Sequence, residues 1–290
     1  MKLISLVLAV CLLTVCSSYA LNKVIYGEDN RVDVYESNNA FFVDLSRSTA
    51  AMISSTNIKS NADGSFTVTG DTLQSIGLCS SERFSQQISS AVCSGFLVAK
   101  DIIVTAGHCY AESTSCQNYK WVFDFKSSDS GVDPEIQVSA NSVYSCKKVV
   151  AQVLNNYNKT DYSVIKLDRE VEGYEPLEVR KTGKIENNTP IVVIGSPTGI
   201  PTKIADGATV RSNSNAVYFT TNLDTYGGNS GSAVFNVATG VVEGILVRGD
   251  NDYVRSPAGC MVSNICSQNG CRGEDVTRIT KVKEIMDIAQ

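Results

Sequence analysis

The stretch GFLVAKDIIVTAGHC, residues 95–109, carries the pattern that decides the fold. Two short apolar runs, 96–98 and 102–104, flank a polar break and lead into a turn that contains His108. Runs this short, rich in β-branched residues and bounded by polar or glycine positions, are typical of β-strands rather than helices. The stretch therefore predicts two consecutive strands with a histidine directly after the second.

The same pattern of short apolar runs extends from Cys79 towards the end of the chain. Short apolar runs split by Gly, Pro, Asn and Asp recur at 121–123, 164–167, 191–194 and 216–219. The runs 232–235 and 241–247 flank the turn Ala238-Thr239-Gly240 and predict a hairpin. This pattern predicts an all-β sandwich or barrel fold, and 290 residues with 43% hydrophobic side chains are enough for two packed half-domains.

The end of the chain departs from the strand pattern. From Thr277 onward, apolar residues recur at spacings of three and four, at positions 279, 282, 285 and 286. This period predicts a short C-terminal helix that packs one face on the barrels.

The first 20 residues have the features of a secretory signal peptide. A positive start precedes the 13-residue apolar run 3–15, which is shorter than the ~20 residues that cross a bilayer. Because small residues precede the site after Ala20, we expect cleavage there, secretion and no membrane anchor. A lipoprotein anchored at Cys16 is the weaker alternative, since Val15 is bulky for a lipobox. Residues 21–78 carry polar patches, and we expect a separate segment there.

Charge and cysteine content limit the function further. The net charge is -5 and no run of Lys and Arg occurs, so a nucleic-acid partner is not expected. Of the 10 Cys, two lie in the leader, and an even set in an exported chain predicts disulfides. Zinc is the competing interpretation for the neighbouring Cys266 and Cys271, but no Cys-x-x-Cys pair occurs, so no metal is expected.

The cysteine spacing suggests part of the disulfide pattern. Cys116 and Cys146 lie on either side of the predicted strand at Trp121, and we expect them to pair. If a disulfide between Cys93 and Cys109 also ties the His108 turn to the preceding strand, three pairings remain open for the other four cysteines, Cys79, Cys260, Cys266 and Cys271.

Three short segments carry candidate chemistry. His108 is the only histidine, so it is the only candidate for a general base that uses imidazole. A solitary histidine is nevertheless more often structural than catalytic. Ser230 lies in the glycine-rich turn 227–232, where the backbone N–H groups of Gly228 and Ser230 can converge as an oxyanion hole. Asp161 opens an alternating strand, where a carboxylate can orient an imidazole or can simply be a turn residue.

Taken together, the segments TAGHC (105–109), DYSVIKL (161–167) and GGNSGS (227–232) resemble the motifs of chymotrypsin-like serine peptidases in order. The resemblance is closest to the bacterial branch that includes glutamyl endopeptidases and extends over residues 79–290. It implies two packed six-stranded antiparallel β-barrels. It also implies Ser230 as nucleophile, His108 as general acid and base, and Asp161 as orienting carboxylate. The family pairs the cysteines equivalent to Cys93 and Cys109.

Two departures from the family concern activation and specificity. Trypsin-like zymogens use an Asp directly before the nucleophile for a charge-pair switch, whereas this chain has neutral Asn229. Residues 21–78 are still expected to be a pro-segment, with a permanent extension as the alternative. Glutamyl peptidases use a pocket histidine, and the only histidine here already has a role.

The substrate pocket implied by the resemblance contains Asp224 and Thr225, with Arg248 and Gly249 on the opposite wall. Asp224 at the base favours Arg or Lys on the amino side of the scissile bond, whereas Arg248 would favour acidic residues. An internal ion pair between Asp224 and Arg248 is the third possibility.

These observations predict a monomeric secreted serine endopeptidase that acts on protein or peptide substrates without a cofactor. It would work through an acyl-enzyme, with a weak preference for Arg and Lys. The alternatives are a catalytically silent relative that binds proteins through the cleft, and an esterase that uses the same three residues.

Overall fold

The computed structural model describes residues 24–111, 116–129 and 131–288. The expected signal peptide, residues 1–20, lies outside them. The described residues contain one α-helix, α1 (Ala40–Ser46), and 22 strands. In chain order the strands are β1 (Ile25–Tyr26), β2 (Arg31–Asp33), β3 (Thr49–Ser54), β4 (Ile58–Ser60), β5 (Phe66–Val68), β6 (Asp71–Thr72), β7 (Ile88–Ser89), β8 (Ala91–Ala99), β9 (Ile102–Thr105), β10 (Tyr119–Phe123), β11 (Ile136–Val138), β12 (Val143–Leu154), β13 (Asp161–Leu167), β14 (Pro190–Gly195), β15 (Lys203–Ser212), β16 (Tyr218–Thr221), β17 (Ala233–Asn236), β18 (Val242–Arg248), β19 (Tyr253–Arg255), β20 (Met261–Ser263), β21 (Ile265–Cys266) and β22 (Glu274–Arg278).

Two closed six-stranded antiparallel barrels form the body of the molecule, as the sequence predicted. The first has the strand order β10-β12-β13-β9-β8-β3 and closes through pairing of β3 with β10. The second has the order β14-β17-β18-β22-β16-β15 and closes through pairing of β14 with β15. The predicted hairpin is confirmed, since β17 pairs antiparallel with β18.

The segment before Cys79 is not a separate unit, and this part of the sequence-based prediction is wrong. Strand β3 pairs with both β8 and β10 and is needed to close the first barrel. Side chains from both of its faces are buried: Ala50 and Met52 belong to one core cluster, and Ala51 and Ile53 to another. Strand β2 adds to the edge of β15 in the second barrel. A pro-segment that spans all of 21–78 would therefore remove a barrel strand.

The two barrels share one continuous core. Buried side chains of the first barrel, such as Phe96 and Trp121, belong to the same cluster as Ile194 and Phe235 of the second. A smaller cluster that includes Val193 and other residues of the second barrel completes its interior. Because the barrels are packed through this shared apolar contact, groups at the ends of their strands hold fixed positions relative to one another.

The predicted C-terminal helix is two successive 3-10 turns, Ile279–Lys281 and Lys283–Ile285, and it follows directly on strand β22. Ile279, Val282 and Ile285 are all buried, so the apolar positions were predicted correctly. A spacing of three residues suits the 3-10 helix, which has three residues per turn, as well as one face of an α-helix.

Four disulfides are described, and they include the two expected pairs. Cys93–Cys109 and Cys116–Cys146 are formed. The pairings that the sequence left open are Cys79–Cys260 and Cys266–Cys271. Within the three described ranges, no helix has both the length and the apolar character to cross a membrane.

Candidate active site

His108 and Asp161 are brought together within the first barrel. His108 lies on the 3-10 turn Gly107–Tyr110, directly after β9, and Asp161 is the first residue of β13. The imidazole Nδ1 lies 2.8 Å from Asp161 Oδ2. The other carboxylate oxygen, Oδ1, accepts the backbone N–H groups of Gly107 at 2.6 Å and His108 at 3.1 Å. Asp161 therefore fixes both the ring and the backbone that carries it.

The turn that bears His108 requires glycine at position 107. A Cβ atom there would lie 2.1 Å from the carbonyl oxygen of Val153 and 2.9 Å from the backbone nitrogen of Tyr162. The absence of a side chain lets the turn lie directly against β12 and β13, which is how the imidazole reaches Asp161. The sequence signal TAGHC thus has a local steric cause.

Ser230 comes from the second barrel, in the turn between β16 and β17. The flanking Gly228 and Gly231 both have positive φ angles, of 86° and 91°. A Cβ atom on Gly231 would lie 2.1 Å from the carbonyl oxygen of Ser94 and 2.2 Å from Oγ1 of Thr105, both in the first barrel. The turn can therefore approach the other barrel only with glycine at this position.

Contacts across the barrel interface place Ser230 beside the residue that follows His108. The backbone N–H of Ser94 donates to the carbonyl oxygen of Ser230 at 2.8 Å. The same oxygen lies 3.8 Å from Sγ of Cys109. His108 Nε2 is buried and has no hydrogen-bond partner among the described residues. The site thus joins a buried His–Asp pair from one barrel to a serine-bearing turn from the other.

Asn229, which replaces the Asp of trypsin-like zymogens, has a partner within its own turn. Its Oδ1 accepts the hydroxyl of Ser232 at 3.3 Å, and its backbone oxygen accepts the N–H of Ser232 at 2.9 Å. Asn229 is buried and neutral. The turn is thereby closed by hydrogen bonds that require no charged partner.

Ser94 is a site residue that the sequence did not reveal. Its hydroxyl donates to the carbonyl oxygen of Gly228 at 2.9 Å and accepts the backbone N–H of Ser196 at 3.0 Å. Ser94 is fully buried, and it fixes the peptide plane that follows Gly228. Nothing in the sequence distinguishes Ser94 from other serines in strands, because its partners are distant in the chain.

Asp224 does not have the surroundings expected of an open pocket carboxylate. It is 3% exposed, and its two oxygens accept the backbone N–H groups of Tyr26 at 2.7 Å and Asn30 at 2.9 Å. Burial raises the pKa of Asp224 to about 6, although the two backbone hydrogen bonds act in the opposite direction. The carboxylate anchors the N-terminal segment to the second barrel.

Arg248 pairs with Asp275 and not with Asp224, so the internal ion pair that was the third possibility has a different partner. Its Nε lies 3.0 Å from Asp275 Oδ2, and its Nη1 lies 3.9 Å from Asp161 Oδ2. A further N–H donates to the backbone oxygen of Lys159 at 3.0 Å. Arg248 therefore links the end of β18 to the segment just before Asp161 and places a positive charge near that carboxylate.

Thr225 and Gly249, the other two predicted pocket residues, meet at a third residue, Glu274. The Thr225 hydroxyl donates to Glu274 Oε2 at 2.8 Å. A Cβ atom on Gly249 would lie 2.0 to 2.2 Å from the carboxyl atoms of Glu274. Glu274 is fully buried. In the sequence it precedes Asp275 and looks like one of two ordinary surface acids, so only the fold reveals its position.

One group of potential metal ligands occurs in the described part of the chain, formed by Cys93, His108 and Cys109. The two sulfur atoms are joined in a disulfide, and a disulfide sulfur is not the thiolate that metals bind. The donor set therefore does not fit a metal ion. The arrangement instead places the disulfide directly beside the imidazole.

Two six-stranded barrels, with a His–Asp pair on one and a serine in a glycine turn on the other, define a chymotrypsin-like peptidase fold. A family model described as the trypsin-like peptidase domain matches residues 93–245, which is more than half of the 290-residue chain. The chain belongs to the trypsin-like peptidase family. No curated protein matches the chain significantly.

Solved structures share this fold at low sequence identity. A Glu endopeptidase is similar with a TM-score of 0.52 and 18% identity, over 91% of this chain and 97% of that one. The VesB protease of Vibrio cholerae is similar with a TM-score of 0.52 and 13% identity, over 90% of this chain and 66% of that one. At these identities the likeness concerns the fold.

Proposed function

We propose that the protein is a secreted serine endopeptidase with Ser230 as nucleophile, His108 as general acid and base, and Asp161 as orienting carboxylate. The observation that carries the proposal is the contact of the His108 ring with Asp161 Oδ2 at 2.8 Å, next to a turn that presents Ser230 from the other barrel. Disulfides in a trypsin-like chain support secretion.

The proposed reaction proceeds through an acyl-enzyme. His108 Nε2 takes the proton of the Ser230 hydroxyl while Oγ attacks the substrate carbonyl carbon, and the developing oxyanion accepts the N–H groups of Gly228 and Ser230. Asp161 holds Nδ1 protonated and stabilises the imidazolium. The proton then passes to the leaving amine, the C–N bond breaks, and water hydrolyses the ester by the same route.

A fluorophosphonate probe and a denatured proteome together test this proposal. Wild-type protein is expected to be labelled at Ser230 and to cut the proteome, whereas Ser230→Ala is expected to do neither. Ser46→Ala is the matched control, since it removes a buried hydroxyl in α1 and leaves the turn that carries Ser230 unchanged. Cuts of equal number and position with Ser230→Ala would overturn the proposal. Binding of substrate proteins without cuts or labelling would favour a silent relative.

A weak preference for Arg or Lys on the amino side of the scissile bond is part of the proposal. A buried carboxylate at the pocket base is the physical basis, because a desolvated negative charge favours a cationic side chain and disfavours an acidic one. Asp224 is a poor source of that charge, because its two oxygens already accept the backbone N–H groups of Tyr26 and Asn30.

A further inference from the structure

We propose that Arg248 is a positioning residue of this peptidase, which links the barrel that carries Ser230 to the Asp161 carboxylate and sets the acid limb of the pH–rate profile. The inference rests on the proposed function, because Asp161 acts in that same site. It gives Arg248 a task within the catalytic machinery instead of the place in the substrate pocket that the sequence predicted.

Strand β18 contacts both halves of the site. The backbone N–H of Gly231 donates to the carbonyl oxygen of Leu246 at 2.7 Å, and the Leu246 N–H donates to the oxygen of Ser232 at 3.0 Å. Arg248 is the last residue of the same strand, two positions after Leu246. The turn that carries Ser230 and the Arg248 guanidinium are therefore held by one element.

The guanidinium crosses to the first barrel and contacts the start of β13 at two points. Its Nη1 lies 3.9 Å from Asp161 Oδ2, the oxygen that also contacts His108 Nδ1 at 2.8 Å. Its Nη2 donates to the backbone oxygen of Lys159 at 3.0 Å, in the connection before β13. The side chains of Arg248 and Asp161 are 20% and 4% exposed, so water screens the attraction between them only weakly.

Asp275 and an aromatic ring fix the guanidinium in this place. Asp275 pairs with Arg248 in the register of β18 and β22, and its Oδ2 lies 3.0 Å from Arg248 Nε. Its other oxygen accepts the hydroxyl of Thr220 at 3.2 Å. The guanidinium carbon lies 5.3 Å from the ring centroid of Tyr218. The arginine side chain is thus anchored in the second barrel and extends from there to Asp161.

Two guanidinium groups and two carboxylates form a connected cluster next to the imidazole. Arg272 Nη2 lies 2.6 Å from Asp275 Oδ2, the same oxygen that faces Arg248. Tyr218 and Lys159 also face the cluster, the first through its ring and the second through its backbone oxygen. The four charges cancel, and their bearers are Asp161, Arg248, Asp275 and Arg272.

This balance decides how easily the base is lost in acid. Without Arg248 the cluster carries one net negative charge, and a negative charge near an imidazole favours the imidazolium. An imidazolium cannot take the proton of the Ser230 hydroxyl. Arg248 therefore keeps His108 available as a base at a lower pH than the two carboxylates would allow with Arg272 alone.

The experiment measures kcat/KM against pH for one peptide amide that wild-type protein cuts. Arg248→Gln is expected to move the acid limb to higher pH by about one unit, which lowers kcat/KM about 10-fold on that limb and changes the plateau much less. Arg248→Lys keeps the charge and should retain the wild-type limb. Arg180→Gln is the matched control, since it removes a partly exposed guanidinium from Glu243, a buried carboxylate of β18 away from the site.

Asp275→Asn tests the same balance in the opposite direction. It removes a negative charge from the cluster, so the acid limb should move to lower pH. The result of this variant decides the matter if Arg248→Gln does not fold.

The rate at which the fluorophosphonate probe labels Ser230 provides a second readout, which needs no peptide substrate and should follow the same acid limb. A limb that stays in place in Arg248→Gln, or in Asp275→Asn where Arg248→Gln does not fold, would overturn the inference alone. Equal shifts in Arg248→Gln and in either Arg248→Lys or Arg180→Gln would do the same. Absence of both labelling and cleavage in wild-type protein would overturn the proposed function and the inference with it.

Discussion

The Ser94 hydroxyl donates a 2.9 Å hydrogen bond to the carbonyl oxygen of Gly228, and this bond ties the first barrel to the turn that carries Ser230, the proposed nucleophile. The bonded carbonyl belongs to the peptide unit directly after the amide proposed for the oxyanion hole. Because Ser94 also accepts the N–H of Ser196, its hydroxyl proton is directed to Gly228. The hydroxyl thus acts as a positioning group for that turn.

Replacement of this hydroxyl is expected to affect chemistry more than binding. Ser94→Ala should lower kcat about 10-fold with little change in KM, which is less than the 10²–10³-fold cost of losing an oxyanion donor itself. Steady-state kinetics on one peptide amide measures the split. Ser163→Ala is the control, since that buried hydroxyl has no partner among the described residues. Equal losses in the two variants would contradict a positioning role for Ser94.

The charge of Asp161 is expected to be essential for turnover but not for folding. Asp161→Asn keeps a side-chain oxygen for the N–H groups of Gly107 and His108 but cannot stabilise the imidazolium, so kcat should fall by about 10⁴. Amide hydrolysis and thermal unfolding measure the two effects. Asp101→Asn is the control, because Asp101 pairs with Lys166 of β13 away from His108. A kcat within about 10-fold of wild type would exclude the proposed role of Asp161.

The raised pKa of Asp224 predicts a pH dependence of stability. The ordinary value is 3.8 and burial raises the pKa to about 6, so the folded state binds this proton more tightly than the unfolded state. The resulting stabilisation is fully present below pH 3.8 and is lost as the pH rises from there through about 6. Relative to Asp224→Asn, the wild-type free energy of unfolding should fall by on the order of 3 kcal/mol between pH 4 and pH 7.

Urea unfolding of the two proteins at both pH values measures this difference. Because all other titrating groups are common to both proteins, they cancel in the comparison. A difference in the free energy of unfolding that stays constant, or that favours wild type more at pH 7, would show that burial does not raise the pKa of Asp224.

The place of β3 in the first barrel predicts that residues 79–290 do not fold alone. Without β3, the facing edges of β8 and β10 lose their backbone partners, and the buried side chains of Ala50 and Met52 are missing from the core. A chain of residues 79–290 should show no cooperative thermal unfolding, whereas residues 24–290 should. Cooperative unfolding and peptide hydrolysis by the shorter chain would contradict this prediction.

The sequence was sufficient for features that depend on local pattern. The alternation in 161–167 and the short β-branched runs correspond to strands, and TAGHC and GGNSGS correspond to turns in which glycine has a steric cause. The hairpin of β17 and β18 and the Cys116–Cys146 pair were also predicted. Each of these features is fixed by neighbours in the chain or by one short loop.

The sequence was insufficient where a long-range partner decides the outcome. Strand β3 contains Thr49, Ala50 and Ala51, which have weaker strand signals than Val or Ile, and polar turns follow it. Its strand character comes from pairing on both edges and burial on both faces. Glu274 likewise gains its position only when Thr225 and Gly249 fold around it.

The path of the N-terminal segment has a consequence for how cuts in the chain are tolerated. The chain passes from the second barrel at β2 to the first at β3, and it returns from β13 to β14. The disulfide Cys79–Cys260 covalently links the part of the chain before strand β8 to the part after strand β18. A single nick in the 168–189 connection therefore leaves the two halves joined, so His108 and Asp161 stay attached to the half that carries Ser230. If the protein cut its own chain there, the two barrels would stay covalently linked. Barrels joined by a single connection would be separated by the same cut.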